Sequence, residues 1–236
     1  AEPTKLAFSK MALGLGPQDR AVNLTGGLLI DLQHGASAKA ALSARQVDLD
    51  RALAGQPGQQ ASVQQAIRMI YEGLALSTQL PFPLDLSLSA DAAVLNGGLV
   101  EDIALDAQVD RGALKVDKLS LLLPGKSHVA AAGSVSLKDD APLLFADVSL
   151  TTRQAAIMAD WLGVGDLRLG ALQIKPGTAE ITAEGKLRAD RGGFSLDELT
   201  MSIDDSRIKG GMSLTGSDNY ALNLNLNVDR LDLERY

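Results

Sequence analysis

The chain has two histidines and no cysteine. Thiol nucleophiles, zinc–thiolate sites and disulfides are therefore excluded. His34 falls in the polar turn Gln33-His34-Gly35, and His128 stands at the start of an alternating run; neither has a second histidine at strand or helix spacing. Lone imidazoles of this kind read as surface residues, because a metal centre needs three or four converging ligands. The acidic pairs Asp139-Asp140 and Asp204-Asp205 lie in turn-forming stretches without the spaced carboxylates and central glycine of a calcium loop. Gly14-Leu15-Gly16 runs into Pro17, not into the helix that a phosphate-cradling loop requires. No Gly-x-Ser-x-Gly nucleophile elbow occurs. Trp161 reads as a core anchor. The chain reads as a non-enzyme with no metal and no cofactor.

What remains is apolar chemistry. Lys and Arg number 22 against 29 Asp and Glu, for a net charge of -7. An acidic chain argues against nucleic acid, whose phosphates need a basic face. Apolar residues make up 46% and aromatics only 3%, so a core is affordable but must be built from Leu, Ala, Val and Ile. The few aromatics also argue against a polysaccharide binder, which would need exposed rings in rows. No apolar run approaches the roughly 18–20 residues needed to span a bilayer. The start at Ala1-Glu2-Pro3-Thr4 reads as processed or trimmed, and a membrane anchor would lie outside this segment.

Those apolar residues alternate with polar ones at period two, the pattern of half-buried antiparallel strands. In Leu222-Asn223-Leu224-Asn225-Leu226-Asn227-Val228 one face is aliphatic and the other amide. A longer pattern recurs three times, at Leu6–Leu15, Leu114–Leu123 and Phe194–Ile203, with offsets of 108 and then 80 residues. Each copy alternates twice, places two polar residues together, and resumes in the opposite phase. A one-residue slip would turn every later side chain to the wrong face unless a bulge absorbs it. Bulges are therefore expected at Ser9-Lys10, Asp117-Lys118 and Asp197-Glu198.

A glycine-bearing strand follows each copy. Leu24-x-Gly26-x-Leu28-x-Ile30 is set beside Ala131-x-Gly133-x-Val135-x-Leu137 and Ile208-x-Gly210-x-Met212-x-Leu214. A glycine on the apolar face lets a neighbour approach the backbone closely. A third strand and a short closing segment complete each unit, giving one elongated repeat region with units near 5–55, 84–163 and 167–236. Val63, Ile67, Ile70 and Leu74 are spaced for a helical insert over 60–76, which Pro81 and Pro83 end. A second helix is expected over 153–162, stopped by Gly163. The fold class is mainly β: an antiparallel repeat sheet with two helices, curled into a groove or flattened into a sandwich. Its aliphatic face must be hidden by closure, by a second sheet or by something apolar held in a groove.

The last unit, from Asp204 through Leu231-Asp232-Leu233-Glu234-Arg235-Tyr236, resembles the AsmA family in its glycine-bearing strand, its following strand and its "LDLDRY"-like end. Val47-Asp48-Leu49-Asp50-Arg51-Ala52-Leu53 is a degenerate copy, whereas Thr151-Thr152-Arg153-Gln154-Ala155 lacks the Asp-Arg pair. A helix-capping role for the aspartate explains the motif without a further function. The resemblance implies a periplasmic protein of the Gram-negative envelope, held at the inner membrane by an anchor outside this segment. It implies β-groove units that bind or shield phospholipid in transit to the outer membrane. The alternative it implies is a scaffold for outer-membrane protein assembly, with an envelope protein as partner. The candidate lipid-binding face comprises Leu114, Val116, Leu119, Leu121, Leu123, Val135, Leu137, Phe194, Leu196, Leu199, Met201, Ile203, Met212, Leu214, Leu222, Leu224, Leu226 and Val228. The same residues could pack a dry core.

Overall fold

Alternation at period two is realised as one open sheet of twelve strands in the computed structural model. The structure describes residues 4–16, 20–33, 35–53, 59–62, 65–66, 82–110, 113–138, 141–163, 168–169, 172–173, 180–190, 192–203, 206–216 and 221–229. The first half contributes β1 (Lys5–Leu15), β2 (Val22–Asp31), β3 (Ser37–Asp48), α1 (Leu49–Leu53), β4 (Leu84–Leu95), β5 (Gly98–Asp110) and β6 (Ala113–Leu123). The second contributes β7 (Ser127–Lys138), β8 (Ala141–Thr152), α2 (Ala155–Leu162), β11 (Ile181–Asp190), β12 (Gly193–Ile203), β13 (Ser206–Thr215) and β14 (Ala221–Val228). Two short strands, β9 (Arg168–Leu169) and β10 (Leu172–Gln173), pair with each other in a separate two-stranded sheet. Strand order follows the chain, with β11 beside β8. Neighbours are antiparallel except β3 and β4, which run parallel across the insert.

All three expected bulges are present. Pairing slips by one residue between Phe8 and Met11, between Val116 and Leu119, and between Leu196 and Leu199. Ser9-Lys10, Asp117-Lys118 and Asp197-Glu198 thus each stand opposite a single residue of the next strand. The extra residue keeps both halves of the strand apolar on one face. Glu198 takes the left-handed conformation at φ 52°, and so does Asp102 at φ 51° beside a further slip in β5.

Registering the units on their bulges corrects the glycine alignment. Gly26 pairs with Met11 and Gly210 with Leu199, each just past its bulge, and the residue in that place in the middle unit is Ala131, opposite Leu119. Gly133 lies two residues further along, opposite Val116. The expected close approach comes from the adjacent strand: a Cβ on Gly210 would overlap the Asn225 carbonyl, and its φ of 149° disfavours any other residue. A Cβ on Gly26 would likewise overlap the Ala41 carbonyl.

The dry core occupies one end of the sheet. Val47, Ala61, Ala66, Ala90, Ala93, Leu95 and Val100 form it, with Leu49, Leu53, Leu121, Leu123 and Trp161 packed against it. The degenerate Asp-Arg motif organises this end. Arg51 N donates to Asp48 Oδ1 (2.8 Å), so Asp48 caps the N-terminus of α1. Asp50, 9% exposed, accepts from three backbone amides: Ala61 N (2.9 Å), Asn96 N (2.7 Å) and Gly97 N (2.8 Å). It thereby ties α1 to the insert and to the β4–β5 turn. Most of the expected helix over 60–76 lies outside the described residues. Its start is visible as a reciprocal cap, Ser62 N donating to Gln65 Oε1 (2.8 Å) and Gln65 N to Ser62 Oγ (3.2 Å). The second expected helix forms as α2 and ends on Gly163 at φ 74°. Trp161 anchors it, Nε1 donating to the Leu95 carbonyl (2.8 Å).

Beyond that end, among the described residues, each strand of the sheet packs mainly against its neighbours in the sheet. The accessible surface is 15525 Å², against roughly 10,000 Å² for a compact monomer of 24.7 kDa. Neither a closed barrel nor a packed sandwich is formed among the described residues, and the sheet stays open.

Candidate functional site

Paired residues in a sheet point to the same side, so the register assigns the faces strand by strand. Phe8, Leu28, Ala40, Leu86 and Ala107 are linked in sequence by their pairings across β1 to β5. Ala107, Val116, Gly133, Ala146, Leu187, Leu196, Met212 and Leu224 carry the same face on to β14. One apolar face therefore runs without interruption across the twelve strands, a width of roughly 50 Å at the usual strand spacing.

Every residue of the candidate lipid-binding face whose side chain is described stands on this side. Leu114, Val116 and Leu119 are half-buried, as are Phe194, Leu196, Met201, Ile203, Met212 and Leu214. Val135 and Leu199 are buried, each 6% exposed. Leu222, Leu224, Leu226 and Val228 are 41–49% exposed on the edge strand. Leu121 and Leu123 differ from the rest, because they pack against the dry core at the closed end. Leu137 is placed in β7, and its side chain lies outside the described residues. The face also extends over β1 to β5, including Leu6, Leu13, Leu28, Leu86, Leu88 and Leu105. The same alternation marks those strands in the sequence.

The opposite face carries the charged side chains, several of them in ion pairs, with Leu29 and Phe145 exposed among them. Lys39 meets Asp85 at 3.0 Å, Lys115 meets Asp117 at 2.6 Å and Lys186 meets Glu198 at 2.6 Å. The Glu198 carboxylate, first by its hydrogen bond and then by its charge, holds the Lys186 ammonium above the usual lysine value. A shallow depression of about 770 Å³ follows the bulge line, lined by residues including Lys118, His128, Asp147, Glu184, Lys186 and Glu198. Ser120 Oγ lies 3.2 Å from His128 Nε2. Among the described residues no carboxylate orients the other ring nitrogen, which a nucleophile–base pair would need. No group of three or more metal-ligating side chains occurs among the described residues. His34, Asp139-Asp140, Asp204-Asp205 and Leu231–Tyr236 lie outside them.

What this arrangement offers is area. A continuous aliphatic surface stabilises a bound hydrocarbon by about 0.8 kcal/mol per buried methylene, without directional bonds. No described helix is long and apolar enough to cross a membrane. Comparison with family models, with curated proteins and with solved structures finds no match to this chain.

Proposed function

We propose that this chain is a non-enzymatic, lipid-holding segment of a Gram-negative envelope protein, shielding phospholipid tails in the periplasm on their way between the two membranes. The observation that carries the reading is the apolar face itself, continuous from β1 to β14 and, among the described residues, without a second sheet packed on it. Soluble monomers seldom leave more than a few hundred Å² of contiguous apolar surface in water. A surface of this extent calls for a cover, and acyl chains match it in chemistry and in scale. Strands of about ten residues span roughly 35 Å, more than the tail of one leaflet in a hydrocarbon core about 30 Å thick. The resemblance of the last unit to AsmA-like proteins supports the same reading. An apolar surface selects by area, so head-group selectivity is weak.

Native mass spectrometry of the protein purified from a Gram-negative host tests this. Co-purifying phospholipid, reduced in a folded Leu86→Asp variant and retained in Ser87→Asp, supports the proposal. A lipid-free protein that takes up no added phospholipid overturns it.

A further inference from the structure

The two edges of the sheet are not alike. β1 carries Lys5 and Lys10 and a bulge at Ser9-Lys10, the usual devices that keep an edge from pairing. β14, Ala-Leu-Asn-Leu-Asn-Leu-Asn-Val from Ala221 to Val228, has no charge, no proline and no register slip, and every residue of it is exposed. Every other strand of the sheet bears at least one charged side chain. The equivalents of β14 in the other units never end the sheet. Leu42 in β3 and Val148 in β8 stand in the register place of Leu226, and their outer edges are filled by β4 and β11.

We infer that β14 is a docking edge for the β14 strand of a second copy of this chain, paired antiparallel about a twofold axis perpendicular to the sheet. The sequence is complementary to itself in that arrangement. Matched end to end, Leu222 meets Val228 and Leu224 meets Leu226 on the apolar face, while Asn223 meets Asn227 and Asn225 meets its own copy on the polar face. An amide carries both donors and an acceptor, so asparagines can pair with each other. No like charges oppose one another, as they would if a lysine stood at these positions. The apolar faces of the two copies join on one side, and the two β14 edges, each without a further strand among the described residues, satisfy each other's amides and carbonyls.

The absence of native cysteine allows a direct test by single-cysteine cross-linking, alongside sedimentation velocity from micromolar to submillimolar concentration. The expected result is a concentration-dependent species of twice 24.7 kDa. Asn225→Cys should cross-link rapidly between copies under mild oxidation, and Ala7→Cys on β1 should not. Asn225→Lys should abolish the dimer while leaving the circular dichroism of the monomer unchanged. A monomer at every concentration overturns the inference. So does a dimer that survives Asn225→Lys, or one that cross-links at Ala7→Cys and not at Asn225→Cys. A dimer lost in Leu86→Asp but kept in Asn225→Lys would place the contact on the apolar face, and would also overturn it.

Discussion

Removing the Asp50 carboxylate should loosen the closed end of the sheet. Its oxygens accept from Ala61, Asn96 and Gly97 at 2.7–2.9 Å, joining amides that are 11, 46 and 47 residues away along the chain. In Asp50→Ala all three donors lose their acceptor. Stranding a buried donor costs about 1–3 kcal/mol. The Ala61 contact is buried and the other two are partly buried, so water can relieve part of the loss. The expected destabilisation is about 2–4 kcal/mol, a large share of the 5–15 kcal/mol typical of a folded domain. Asp50→Asn keeps one oxygen but turns an amide donor toward one of the backbone N–H groups, and should cost about half as much. Urea unfolding measures both. Hydrogen exchange at the Ala61, Asn96 and Gly97 amides should accelerate before exchange in β12 and β13. If both variants unfold within about 0.5 kcal/mol of the parent, the three bonds do not hold this end together.

Further predictions concern other parts of the sheet. Gly210→Ala places a Cβ on the Asn225 carbonyl at a φ of 149°, so it should cost at least about 1–3 kcal/mol and raise hydrogen exchange in β14 selectively. Trp161→Phe removes the donor to the Leu95 carbonyl and should lower stability by about 1 kcal/mol, read by the same urea transitions. The raised pKa of Lys186 means that its pairing with Glu198 contributes fully below the ordinary lysine value of 10.5 and is lost as pH rises through the higher folded value. The alkaline loss of stability should therefore be smaller in Lys186→Met than in the parent. The effect is small because the pair is solvent-exposed.

Strands and bulges were legible because their signal is local. Period-two alternation marks the strands, and paired polar residues at Ser9-Lys10, Asp117-Lys118 and Asp197-Glu198 mark a change of phase. The slip between Glu101 and Ala104 lies beside a similar polar pair, Glu101-Asp102 between Val100 and Ile103, in a strand outside the three aligned copies. Residue identity places Gly133 beside Gly26 and Gly210, whereas the structural anchor is the bulge in the preceding strand, which puts Ala131 there. α1 covers five residues, too short for a helical period to show. The role of Asp50 depends on amides brought from 46 and 47 residues away, and the parallel pairing of β3 with β4 depends on the path of the insert. Neither leaves a trace in local spacing. The candidate face was readable as a set of alternating residues, but its continuity across twelve strands depends on register. So does the distinction between Leu121 and Leu123, which join the dry core, and the open positions beside them.

The central claim is that lipid lies on the apolar face, and neighbouring residues of one strand offer an internal control. A photoreactive side chain at Leu196 would project from that face, and one at Ser195 from the polar face, one residue apart in β12. Irradiated in a Gram-negative host and analysed by mass spectrometry, the Leu196 protein should carry phospholipid adducts and the Ser195 protein should not. Adducts at both positions alike, or protein adducts alone at Leu196, would contradict a lipid-holding face.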